Sequence, residues 1–212
     1  YSGMETGSDR ILKLINKGFD ADSVVRSGCM AKDADMILSE FILLGIGGKE
    51  LSEENAAQTA KALNIIQPDF IRVHATGIKL ESKLGEFVRD GSFTLQSEEE
   101  IVIEQKLFLQ QLHEMDSYYV NEHIVNLLLE VRGNLRTEKQ EMLSTIDRFL
   151  TLPPDERLLF TVGRRLNIFF RLDDLKKPKL HQKAGESLQQ ILSKNPHVDF
   201  AALCNYVRQS QI

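Results

Sequence analysis

The sequence lacks tryptophan and contains only two cysteines, Cys29 and Cys204, in 212 residues. Two cysteines so far apart exclude a disulfide framework, and they cannot hold a metal ion by themselves. We interpret both as small, buried, apolar residues.

Long apolar runs are also absent. No segment approaches the roughly 18 consecutive apolar residues that a membrane-spanning helix requires, and no basic and then apolar signal peptide opens the chain. We therefore expect a cytoplasmic protein without a membrane partner. A content of 42% hydrophobic and 27% charged residues is typical of a globular protein, and the net charge of −5 does not indicate nucleic-acid binding.

Strand and helix patterns alternate from the first residue. Strands are predicted at YSGME, within MILSEFILLGIGG and at PDFIRVHAT. Four helices are predicted: one after Ser8, one over about 22–34, one that begins near Ser52 and one that ends at Gly91. Strands separated by helices of ten or more residues indicate βα units with a parallel sheet or barrel. The strand pattern begins at Tyr1 without the strands that should precede it, so we expect a fragment of a longer protein.

The pattern changes after residue 96. We expect a long helix over Ser97–Met115 with a capping-type start, a strand within SYYVNEHIVNLLL, and only helices from about residue 135. Residues 135–212 carry 13 Lys and Arg against 9 Asp and Glu, whereas residues 1–134 carry 13 against 22. We therefore predict two regions, 1–134 and 135–212, the second an all-helical region in which RLDDLKKPKLHQK is a flexible linker.

Three glycines in four positions follow the second predicted strand, in the segment FILLGIGGKE. At the carboxyl end of a parallel strand, Gly45, Gly47 and Gly48 would let a ligand approach the backbone, and the next helix would direct free N–H groups to the same side. The spacing matches neither a phosphate loop nor the dinucleotide fingerprint. A tight turn that requires a positive φ is an equal alternative.

Combined with the opening segment, these residues suggest a family. The segments that carry the resemblance are GMETGSDRILKLINKG, the helix after it, SEFILLGIGGKELSEENAAQTAKALN and PDFIRVHAT. With them, the chain resembles the second half of the radical S-adenosylmethionine (SAM) domain, of the iron–sulfur oxidoreductase type. The resemblance covers about residues 1–90 and fades through 134. It implies an α/β fold that is the C-terminal half of a partial (β/α)6 TIM-like barrel.

The resemblance also implies cofactor-binding residues. Glu5, at the end of the first strand, matches a residue that faces the SAM ribose or amino acid moiety, and Lys17 matches a basic residue that pairs with the SAM carboxylate. Glu40, or Ser39 as its alternative, matches a polar residue that reaches the ribose hydroxyls. The backbone of Gly45, Ile46 and Gly47 would contact the adenine.

Further polar residues have weaker matches. Arg72 and His74 would lie near the substrate side. His74 is more often a strand histidine bonded to backbone than a ligand, and the alternative for Glu5 and Lys17 is that they are charges that flank a helix. His113 and His123 lack the spaced partners of a metal site. Arg164 and Arg165 are interpreted as part of a solvated face.

One feature of the radical SAM family is missing. The family holds a [4Fe-4S] cluster on three cysteines in a Cys-x3-Cys-x2-Cys loop, and that loop is not in this chain. The resemblance therefore implies SAM and a [4Fe-4S] cluster in a parent enzyme with an unknown substrate, and we predict no radical chemistry for this chain alone. The missing N-terminal half of the barrel would be its partner.

The alternative is a non-catalytic α/β scaffold or interaction module derived from this fold. In either case the exposed sheet edge at the missing strands would need a cover, so self-association through that edge is also predicted.

Overall fold

A computed structural model describes residues 1–211. Its strands are β1 (Ser2–Glu5), β2 (Ser39–Leu44), β3 (Phe70–Ala75), β4 (Tyr118–Val120) and β5 (Gly133–Asn134). Its α-helices are α1 (Asp9–Leu14), α2 (Ala21–Asp33), α3 (Ser52–Ile66), α4 (Lys83–Asp90), α5 (Glu98–Gln111), α6 (Lys139–Leu150), α7 (Pro154–Arg165), α8 (Pro178–Lys194) and α9 (Phe200–Gln209). One 3-10 helix, η1, covers Leu172–Lys176.

The five strands form one sheet in the order β1-β2-β3-β4-β5. The pairs β1–β2, β2–β3 and β3–β4 are parallel, whereas the short β5 runs antiparallel to β4. The predicted α/β class with a mostly parallel sheet is therefore correct. No helix of residues 1–211 is long and apolar enough to cross a membrane.

Local capping explains several helix boundaries. The Ser8 and Ser97 side chains accept from the N–H of Ile11 and Glu100, and Ser97 with Glu100 forms a capping box. The N-cap of helix α2 is Asp20, two residues before Asp22 and three before Ser23, the two predicted starts. Helix α4 ends at Asp90, and Gly91 with its φ of 80° follows as the C-cap, so the helix stops at this glycine as predicted.

The two faces of the sheet differ in burial. Ile42, Leu44, Ile71 and Val73 are buried in one core cluster with Leu63 of α3. On the other face, Phe41 and Leu43 of β2 and Phe70, Arg72 and His74 of β3 are half-buried, and Ser39 is buried. The cluster continues through α5 to α8, with Phe108, Phe149, Phe160 and Ala184 among its members, so apolar packing crosses residue 134. A domain division at that residue stays a prediction.

Two predictions in the C-terminal half are wrong. The predicted linker from Arg171 to Lys183 forms η1 and the start of α8, because Asp174 accepts the N–H of Phe170 and Arg171 at 2.8 and 2.9 Å. Arg164 and Arg165 are 0% and 5% exposed rather than part of a solvated face. Both arginines lie at the last turn of α7, where neighbouring elements supply acceptors.

Two more predicted elements are shorter in the structure. Helix α5 ends at Gln111 rather than Met115, and the strand expected in SYYVNEHIVNLLL covers only Tyr118–Val120. Beyond that strand, Asn126 bonds to the backbone of β3 with its side chain, donating to Val73 O and accepting from Ala75 N, both at 2.7 Å. Beside the end of β3, the Asn126 side chain therefore makes the hydrogen bonds that a neighbouring strand would otherwise make.

Candidate functional site

A cleft of about 580 Å³ opens at the carboxyl ends of β1, β2 and β3. Its walls come from the end of α1, the glycine-rich turn after β2, the segment after β3 and the start of α4. The charged residues that line it are Glu5, Lys17, Lys79 and Lys83. Its apolar lining comprises Leu14, Ile15, Leu43, Ile46, Ile78 and Leu84. The cleft therefore combines an apolar interior with charged groups, as sites for small polar ligands do.

Glu5 and Lys17 form an ion pair in this cleft. Lys17 Nζ lies 2.6 Å from Glu5 Oε1, and both side chains stay partly exposed. Glu5 has a φ of 63°, which is uncommon for a residue with a side chain, and the pairing of β1 with β2 is irregular between Gly3 and Glu5. Strained backbone of this kind is often retained at binding sites. Glu5 and Lys17, which the resemblance assigns separately to SAM, therefore also contact each other.

The glycine-rich turn after β2 is the part of the cleft wall next to the Glu5–Lys17 pair. Gly45 and Gly48 have φ values of 80° and 63°, and Gly48 N donates to Gly45 O at 3.2 Å. A Cβ at Gly47 would lie 2.9 Å from both Ile11 Cδ1 and Leu51 Cβ. Two glycines are therefore required for the turn and one for close packing, and only Ile46 of the predicted Gly45–Gly47 stretch lines the cleft among the described residues.

Glu104 anchors this turn, and the sequence analysis missed it. Its Oε1 accepts from Gly45 N at 3.0 Å and Asn55 Nδ2 at 2.7 Å, and its Oε2 accepts from Ser52 Oγ at 2.8 Å. Burial raises the pKa of the Glu104 carboxyl despite these donors. The Gly45 N–H is consequently not free to bind a ligand.

Ser39 and Glu40 are the first two residues of β2, at the end of the strand opposite the cleft. Their side chains point to different faces of the sheet. Ser39 Oγ accepts from Arg72 Nε at 2.9 Å on the half-buried face. Glu40 is 1% exposed, its Oε2 has no partner among the described residues, and burial raises its pKa. Neither residue lines the cleft with Glu5 and Lys17 in the part of the chain that the structure describes.

The half-buried sheet face carries a cluster of rings around Arg72. The Arg72 guanidinium lies 5.5 Å from the ring of Tyr1 and 5.9 Å from that of Phe41. The His74 ring lies 5.5 Å from Phe41 and 4.3 Å from His123, measured between centroids. Arg72 and His74 thus lie together, away from the cleft lining. Residues 1–211 contain no group of three or more His, Cys, Asp and Glu side chains that could hold a metal.

His74 is expected to stay uncharged down to unusually low pH. Burial, with His123 and Arg72 adding repulsion, lowers its pKa to about 4. The unfolded chain, with a histidine pKa of about 6.5, binds more protons between these values, so the free energy of unfolding should fall as pH drops through this window. Ring-proton NMR titration measures the pKa directly. A His74 pKa near the ordinary histidine value of about 6.5 would contradict the expectation.

Neither family models nor curated proteins match this sequence. Among solved structures, an N-terminally truncated archaeal Elp3 of Methanocaldococcus infernus is similar with a TM-score of 0.46 and 20% identity. The similarity covers 53% of this chain and 27% of that chain, so it spans about a quarter of the length of that protein.

Proposed function

We propose that this chain is the SAM-binding C-terminal part of a radical SAM enzyme of the iron–sulfur oxidoreductase type. In this proposal, β1 to β3 with their helices are the last βα units of a partial (β/α)6 barrel, and residues 135–212 are a helical extension. The observation that carries the proposal is that Glu5, Lys17 and Ile46, which the sequence resemblance assigns to SAM, line one cleft at the carboxyl ends of parallel strands.

The residues of the cleft fit SAM chemically. Leu43, Ile46 and Ile78 offer apolar surface for an adenine ring. An ammonium has three N–H donors, and Glu5 takes one of those on Lys17, which leaves donors for a ligand carboxylate. Glu5 Oε2 is free of the Lys17 contact and suits a ribose hydroxyl or an ammonium group.

The [4Fe-4S] cluster does not fit this chain. The cluster of this family needs three cysteine thiolates, and the sequence contains two. Cys204 is buried, and burial raises the pKa of its thiol to about 12, which disfavours the ligating thiolate. Cluster ligands would therefore have to come from another part of the parent protein, and we assign no chemical step to the residues present here.

We expect the chain to bind SAM, and we expect Lys17→Met to weaken that binding by about tenfold or more, because the variant loses a charge-assisted hydrogen bond. Isothermal titration calorimetry measures the affinity. Lys13→Met is the matched control, since Lys13 is exposed in the last turn of α1, four residues before Lys17, and lies outside the described cleft lining. Equal affinities of the two variants, or no SAM binding by the unaltered chain, would contradict the proposal.

A scaffold role is the second candidate. In the described residues β1 has β2 as its one strand neighbour, so its outer edge is open to pairing. A scaffold that reuses this fold would remain folded without binding SAM, so the same titration separates the two functions.

A further inference from the structure

The segment Thr76–Ile78 forms the wall of the cleft after β3. Thr76 N donates to Leu44 O at 2.8 Å, which joins the start of this wall to the end of β2. After Thr76 the segment leaves the sheet, so its remaining backbone groups need partners from elsewhere. Those partners come from α9, more than 120 residues later in the chain.

Asn205 binds both backbone polar groups of Ile78. Ile78 N donates to Asn205 Oδ1 at 2.8 Å, and Asn205 Nδ2 donates to Ile78 O at 2.9 Å. Asn205 is 3% exposed, so water does not compete strongly for either bond. A paired amide contact of this kind determines both the position and the orientation of the Ile78 peptide groups.

Arg208 binds the first residue of the same wall. Its Nε donates to Thr76 O at 2.9 Å, while its Nη1 contacts the Glu98 carboxylate. Glu98 is also held by Arg165 at 2.5 Å, which ties this end of α9 to α5 and α7. The guanidinium therefore links the wall to a buried ion cluster.

Gly77 lets the helix approach the wall closely. A Cβ at this position would lie 2.8 Å from Gln209 N and 3.0 Å from the carbonyl carbon of Arg208. Real side chains do not tolerate such distances to backbone atoms, so the wall and the end of α9 are packed backbone to backbone.

We propose that α9 is a positioning element of the cleft, with Asn205 and Arg208 as positioning residues that hold the Thr76–Ile78 wall where a ligand meets it. Ile78 then presents its side chain to the cleft at a depth that α9 determines. The C-terminal region thereby acts on ligand binding without touching the ligand. The inference rests on the proposed function only for the identity of that ligand.

Two measurements, amide hydrogen exchange and SAM affinity, test whether α9 positions the Thr76–Ile78 wall. Asn205→Ala removes both bonds to Ile78, and we expect the Ile78 amide to exchange roughly tenfold faster while amides in the middle of β2 and β3 keep their rates. SAM affinity, measured by calorimetry, should fall by about fivefold or more. Tyr206→Ala, at an exposed position of the same helix, is the control and should change neither quantity.

Arg208→Lys provides a second variant if Asn205→Ala folds poorly. It keeps a cation beside Glu98 but loses the guanidinium bond to Thr76 O, so faster exchange at Gly77 and Ile78 with weaker SAM binding is again expected. Unchanged exchange at the wall, an equal rise at all strand amides, or faster exchange at the wall with unaltered SAM affinity would each overturn the inference. If the unaltered chain binds no SAM, the proposed function fails, and the exchange pattern alone decides whether α9 positions the wall.

Discussion

Replacing Glu98 by Gln is expected to lower the free energy of unfolding by about 3 to 5 kcal/mol, the cost of breaking a buried ion pair by changing one partner. Glu98 is 4% exposed and lies between Arg165 and Arg208, which are 5% and 2% exposed. Removing the carboxylate leaves two buried guanidinium groups without their anion. Chemical denaturation followed by circular dichroism measures the change.

The neighbouring residue supplies the matched control. Glu99 pairs with Arg157 at 3.1 Å but is 44% exposed, so Glu99→Gln should cost only about 0.2 to 1 kcal/mol. Equal losses in the two variants would show that Glu98 contributes no more than an ordinary surface pair.

The difference in unfolding free energy between Glu98→Gln and the unaltered chain should also depend on pH. Burial raises the pKa of Glu98, but the attraction of Arg165 and Arg208 outweighs it and holds the pKa below its usual value. A carboxyl with a lowered native pKa stabilises the fold above its unfolded pKa of about 4.3, and this contribution is lost as pH falls below it. The stability difference between the two proteins should therefore shrink below about pH 4.

Replacing Glu104 by Leu is expected to cost about 4 kcal/mol, because three donors lose the carboxylate as their acceptor, each at about 1 to 3 kcal/mol, while Asn55 Nδ2 keeps its other bond to Leu43 O. The donors are Gly45 N, Asn55 Nδ2 and Ser52 Oγ. Leucine has a similar volume, so the loss reports on hydrogen bonding rather than on a cavity. Denaturation curves give the stability, and the Gly45 amide should exchange faster because its acceptor is gone.

Glu104→Gln is the control for this change. Its carbonyl oxygen still accepts from Gly45 N and Asn55 Nδ2, and its amide donates to Ser52 Oγ, so a cost of about 1 kcal/mol is expected. The native pKa of Glu104 is raised by burial, so this carboxyl destabilises the fold as pH rises above about 4.3, and the glutamine removes that dependence. Equal stabilities of the leucine and glutamine variants would contradict the anchoring role of Glu104.

Much of the fold was predictable because it depends on local patterns. Apolar runs, the capping serines Ser8 and Ser97, and the glycines that end helices or turn the chain indicate the elements from β1 to α5. Glu5 and Lys17 are separated by one loop and the short helix α1, which is why two residues so near in the sequence can meet in the fold.

The choice between Ser39 and Glu40 could not be made from the sequence. Successive residues of a strand point to opposite faces, so the register of β2 against β1 and β3 decides which one lies beside Arg72 and which one lies on the opposite face. The interpretation of Arg164 and Arg165 as a solvated face failed for a similar reason. A charged residue near a helix end looks solvated until the acceptors on other elements are known.

The sequence by itself determined the order of strands and helices from β1 to α5 and the glycine-rich turn, because each depends on residues at most a few turns apart. Only the tertiary structure decided that Glu104 anchors that turn from α5 and that Asn205 and Arg208 hold the cleft wall from α9. Those contacts join residues 49 to 132 positions apart, and a buried polar side chain shows its role only once its partners are brought beside it.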